Sequence, residues 1–100
     1  MNDPKVMQEN LGEKGRYVVR LEDIEEPAVL DYRWLRKDLM VAVHTGVPDA
    51  MQGRGVGRVL VDRLIADARA GGYRIVPQCP YVRAQYERHP EWADVMAELV

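Results

Sequence analysis

The chain has 100 residues, 47% of them hydrophobic, which fits one compact domain over residues 1–100 and leaves no room for a second core. A formal net charge of -2 excludes the basic field of a protein whose main partner is nucleic acid. Cys79 is the only cysteine, so an internal disulfide is ruled out and no metal site is expected.

The longest apolar run, Leu39 to Val43, is far too short to cross a bilayer, and the charged N-terminus shows no signal-peptide core. The expected location is therefore the reducing cytoplasm, with no membrane partner.

Val6 to Leu11 and Arg16 to Leu21 are predicted strands joined by the turn Gly12-Glu13-Lys14-Gly15, with Tyr17, Val19 and Leu21 on one face of the second. Pro27 closes the acidic segment Glu22-Asp23-Ile24-Glu25-Glu26. Beyond it Ala28, Leu30, Tyr32 and Trp34 alternate along a third strand. After a turn at Arg36-Lys37-Asp38, Leu39 to Thr45 is apolar at nearly every position until His44. That pattern predicts a central strand covered on both faces, with His44 buried in it.

From Gly55 to Ala70 the residues Val56, Val59, Leu60, Leu64 and Ala68 recur at helical spacing, and Gly71-Gly72 supplies a stop. Tyr73 to Val76 is a predicted fifth strand, parallel to the fourth because strand, helix, strand implies a right-handed crossover. Pro77 ends it. Tyr81 to Arg88 is a predicted short helix, and Pro90 opens another through Leu99. The fold class is α+β, a mixed and mainly antiparallel sheet with a strand-loop-helix-strand unit and C-terminal helices.

Gln52-Gly53-Arg54-Gly55-Val56-Gly57 joins the buried fourth strand to the long helix. Its glycines leave backbone N–H groups unshielded where the helix N-terminus carries partial positive charge, a combination suited to a pyrophosphate. A Walker loop would end in Gly-Lys-Ser/Thr and a dinucleotide fingerprint needs a different glycine register, so both nucleotide readings fail. The plain alternative is a tight turn with no ligand.

The loop resembles the Gln/Arg-x-x-Gly-x-Gly/Ala element of the GNAT acetyltransferase superfamily, with Gln52, Gly55 and Gly57 matching. His44-Thr45-Gly46-Val47-Pro48, Val76-Pro77-Gln78-Cys79-Pro80-Tyr81-Val82 and His89-Pro90-Glu91-Trp92 resemble more narrowly a small single-domain GNAT-like family, over nearly the whole chain. This resemblance implies a minimal GNAT-like fold that binds acetyl-CoA as cosubstrate. Cofactor contacts are then expected from Thr45, Val47, Gln52, Gly53, Arg54, Gly55, Val56, Gly57 and Arg58, with Val47 beside the pantetheine.

Acyl transfer to an amine needs an acceptor for the amine's proton, a donor for the developing oxyanion and a proton for the leaving thiolate. The fourth strand has no carboxylate, and His44 is its only titratable group suited to proton transfer near neutrality. The resemblance places Cys79 across a splayed gap from His44, as a proton relay in direct transfer or as a nucleophile in a covalent route. It also favours Tyr86 over Tyr81 as the thiolate's proton donor, Cys79 standing seven residues before it where many relatives carry asparagine. The plain alternatives are a bonded core histidine, an inert buried cysteine and packing tyrosines. An N-terminal hairpin in place of acceptor-pocket helices suggests an open acceptor face, able to take a protein lysine or a polyamine. The rival reading is a CoA-binding module without efficient catalysis, acting as sensor or partner-binding protein.

Overall fold

Three of the first four strands bury apolar residues in the sheet, whereas the first is exposed beyond Val6, and the four lie side by side in chain order. The computed structural model describes residues 5–97. Strands β1 (Val6–Leu11), β2 (Lys14–Val19), β3 (Ala28–Arg36) and β4 (Leu39–Gly46) are antiparallel neighbours, and β5 (Arg74–Pro77) runs parallel to β4 at the far edge. Helix α1 (Val56–Gly71) makes the crossover between them, and α2 (Pro80–Arg88) follows β5. Short 3-10 turns occupy Asp49–Met51 and Pro90–Val95.

Two boundaries differ from expectation. The β1–β2 turn is the two residues Gly12-Glu13 and β2 begins at Lys14, because a two-residue loop led by glycine matches the twist of the paired strands. Leu21 falls beyond β2, although it still packs against the core. The helix expected from Pro90 through Leu99 is instead a 3-10 segment ending at Val95. Met96 turns extended and bridges Ile75, and the Ala97 N–H donates to the Ile75 carbonyl at 2.8 Å, so the sheet edge takes the backbone groups a longer helix would have kept. Leu99 lies outside the described residues.

Helix α1 buries Val56, Leu60, Val61, Leu64, Ile65 and Ala68 against Tyr17, Leu30, Tyr32, Met40 and Ile75. Burying each large aliphatic side chain contributes about 1.5–3 kcal/mol, enough to fix the helix on this face. One polar contact pins it further. The Tyr17 hydroxyl donates to Asp67 Oδ2 at 2.7 Å, and Asp67 also accepts from Arg63 Nε at 3.1 Å. Burial and the Asp67 carboxylate push the Tyr17 hydroxyl far above its ordinary pKa.

The feature that positions the site is a bulge in β4. Tyr32 pairs with Ala42 but Asp31 pairs with His44, so Val43 is an extra residue and the side-chain parity changes beyond it. Thr45, opposite Leu30, therefore stays on the face covered by α1. His44, opposite Asp31, points to the other face and is exposed, not buried as the apolar run predicted. On that second face Val18, Leu39, Val41 and Val76 are buried; the last three pack with Val43 and Ala97, and no residue of α1 or α2 joins their cluster.

Candidate active site

The loop between β4 and α1 is set by its own backbone. Met51 is fully buried and its N–H bonds to the Pro48 carbonyl at 2.8 Å; Gln52 returns a side-chain N–H to the Val47 carbonyl at 3.2 Å. Gly53 and Gly55 have φ of +82° and +76°, values that L side chains rarely adopt, so these positions require glycine. A Cβ on either would meet nothing within 4 Å, so their backbone borders open space.

Helix α1 begins directly on this loop with no side-chain cap. Its first internal bond is from the Val59 N–H to the Gly55 carbonyl, leaving the N–H groups of Val56, Gly57 and Arg58 without partners inside the helix. Of these residues Val56 and Gly57 line a cavity of about 650 Å³. Of the expected cofactor contacts, Thr45, Val47, Gln52, Gly53, Gly55, Val56 and Gly57 line it. Arg54 and Arg58 do not. Arg54 makes a forked pair with Asp23 at 2.9 and 3.3 Å, which holds the Asp23 carboxyl below its usual range. Arg58 pairs with Asp62 at 2.8 Å, and its guanidinium lies 5.7 Å from the Trp92 ring centre.

The cavity adjoins a break in the sheet. Pairing between β4 and β5 runs only from Leu39 and Arg74 to Ala42 and Pro77. Pro77 brings no N–H, the Gln78 N–H curls back to Val76, and the Cys79 N–H donates the last bond, 2.9 Å to the Ala42 carbonyl. From Val43 onward the edge of β4 has no strand partner on that side.

Cys79 sits at this break as the N-cap of α2, only 3% exposed. Its Sγ lies 3.2 Å from Thr45 Oγ1. The expected His44–Cys79 pairing is thus replaced by Thr45–Cys79, because the bulge turns His44 to the opposite face. Tyr86 packs against the main core, two turns along α2 from Cys79. Neither it nor Cys79 nor His44 lines the cavity.

Tyr81 does line it, although the family resemblance favours Tyr86 of the two tyrosines. The Tyr81 Oη stands 2.5 Å from where a Cβ on Gly57 would be, so the third glycine of the loop makes room for this ring. No spacing rule links residues 57 and 81, so only the fold exposes the pairing. Asp31, opposite His44, was missed for the same reason: it brings a carboxylate from β3 beside a strand that has none. His89 bonds Glu91 at 3.1 Å and stacks on Trp92 at the entry to the last turn, away from the cavity.

Among the described residues no group of three or more His, Cys, Asp or Glu side chains is arranged to hold a metal ion, and no helix is long and apolar enough to cross a membrane.

Residues 16–95 match the family model described as GCN5-related N-acetyl-transferase. Over 75 residues the chain is 29% identical to Protein NATD1 of Bos taurus, a match covering 75% of this chain and 66% of that protein. The whole of this chain also superposes on 94% of a solution NMR structure of a GCN5-like protein from Staphylococcus aureus, with a TM-score of 0.70 and 24% identity.

Proposed function

The chain belongs to the GCN5-related N-acetyltransferase family, and on that premise we propose that it transfers an acetyl group from acetyl-CoA to an amine. The observation that carries this reading is the uncapped N-terminus of α1, which opens with two positive-φ glycines onto a cavity beside the β4–β5 break. The fit is chemical. Free N–H donors and a helix dipole suit a pyrophosphate, and an unpaired strand edge suits an amide-bearing arm.

Acetyl-CoA, when bound, supplies an acetyl group activated as a thioester. The amides of Val56 and Gly57 hold its phosphates, Tyr81 walls the cavity at Gly57, and the free edge of β4 near Val47 aligns the pantetheine. His44, exposed on the opposite face, serves the acceptor. A lysine-like amine of pKa ~10.4 costs roughly 4–5 kcal/mol to hold neutral at pH 7, so a proton acceptor at this point is needed. Buried Cys79, held by Thr45, positions the gap, which favours direct transfer over a covalent acetyl-cysteine. Tyr86 is assigned as proton donor to the departing sulfur.

The test is release of CoA thiol from acetyl-CoA with a panel of amines. His44→Ala should slow amine-dependent release by about 100-fold or more. Binding of CoA with no amine-dependent release from any acceptor would leave only a binding module.

A further inference from the structure

The face of the sheet turned away from α1 carries three cross-strand rows, continuous from β1 to β4. Met7, Val18, Val29 and Gly46 form an apolar row; Glu9, Arg16, Asp31 and His44 form the next; Leu11, Lys14, Arg33 and Val41 form the third. A second cavity, about 450 Å³, lies over the β1–β3 part of the last two rows, with Glu9, Lys14, Arg16, Asp31 and Arg33 among its walls and His44 just beyond Asp31 in the row.

Two features point to a ligand that carries both charges. In the middle row Arg16 Nε donates to Asp31 Oδ1 at 2.8 Å and no other side chain engages the Asp31 carboxylate among the described residues, which leaves Oδ2 without a side-chain partner on the residue paired with His44. In the third row Lys14 and Arg33 stand directly opposite each other, and neither makes an ion pair among the described residues. Like charges opposed across a ladder repel, and an anion between them relieves that repulsion. The rows are two residues apart along β3, a separation of about 7 Å.

We propose that this face is the acceptor site and that its acceptor is a free diamino acid of the lysine type. Its ω-amine sits at Asp31 and His44 and its carboxylate between Lys14 and Arg33. An extended four-carbon side chain spans a similar distance between those two groups, whereas a lysine within a peptide has no carboxylate on its own Cα. The proposal rests on the acetyl-transfer reading. The ω-nitrogen forms a bond to the acetyl carbon as the C–S bond breaks; the nitrogen's proton leaves through His44, and CoA is released as the thiol.

The experiment is an NMR titration of the CoA-saturated protein with lysine and with cadaverine, which lacks only the carboxylate. Lysine should bind about tenfold more tightly, the worth of one charge-assisted contact. The double variant Lys14→Ala/Arg33→Ala should bring the two ligands within about twofold, and Lys14→Glu/Arg33→Glu should reverse the preference. Equal binding in the wild type, or a lysine preference that survives both double variants, overturns the proposal. Because binding is read directly, the two ideas fail separately. Lysine selectivity without thiol release leaves a lysine-binding face and removes the transfer reading together with the acceptor role, while thiol release with no selectivity removes this site alone.

Discussion

The Thr45 hydroxyl lies 3.2 Å from the Cys79 thiol, joining the end of β4 to the start of α2 where the sheet opens. Thr45→Val keeps the shape and removes this bond. Acetyl transfer should fall by about three- to tenfold, the worth of one ordinary hydrogen bond. Thiol-release kinetics measure the loss, and alkylation of Cys79 should change rate in the same variant. An unchanged alkylation rate means that Thr45 does not hold the sulfur.

Cys79→Ala separates the two transfer routes. Direct transfer requires that this variant keep measurable activity and that wild-type protein incubated with acetyl-CoA show no added acetyl mass. An acetyl adduct lost on substitution of Cys79 would establish the covalent route instead.

Gly57 is small because Tyr81 occupies the space over it. In Gly57→Ala the ring must swing away, which its half-exposed side chain permits, while alanine favours the helix by up to about 1 kcal/mol. Thermal stability should therefore hold or rise as CoA affinity falls. A calorimetric titration paired with a melting curve checks both, and unchanged affinity would remove Tyr81 from the cofactor wall.

Arg54 is held by Asp23 and stands outside the cavity lining. Asp23→Ala should free it toward phosphate and raise CoA affinity roughly twofold, since exposed pairs are weak. The sign with pH follows from the depressed Asp23 carboxyl: the pair is fully present above that group's ordinary value of 3.8 and is lost only as pH falls through its lower folded value. Between pH 6 and pH 9, roughly the working range for the assay, the ratio of variant to wild-type affinity should stay constant.

The Tyr17 hydroxyl has a raised pKa in the folded state, so its contribution is complete below its ordinary value of 10.0 and is lost as pH rises above it. Denaturant unfolding should show stability falling on that alkaline limb. Tyr17→Phe should cost about 1.5–3 kcal/mol at neutral pH, the worth of a bond to a charged acceptor, and should flatten the limb.

The sheet and α1 were legible because their signals are periodic. Ala28, Leu30, Tyr32 and Trp34 alternate, and Val56, Leu60, Leu64 and Ala68 follow a helix, so both faces could be assigned before any pairing was known. The bulge was not legible. Leu39 to Val43 is apolar on both faces, so an extra residue leaves no mark in the pattern, yet Val43 decides that Thr45 meets Cys79 and that His44 meets Asp31. The Gly57–Tyr81 contact was hidden for a different reason: it joins two elements whose packing depends on where α2 leaves the break.

The central claim is that the cavity at the start of α1 binds CoA, and amide shifts of ¹⁵N-labelled protein titrated with CoA test it most directly. The expected result is saturable shifts concentrated at Val47, Gly53, Gly55, Val56 and Gly57, with the Tyr81 amide also responding and the β1–β2 turn silent. No saturable shift at millimolar CoA, or shifts centred away from this loop, would contradict it.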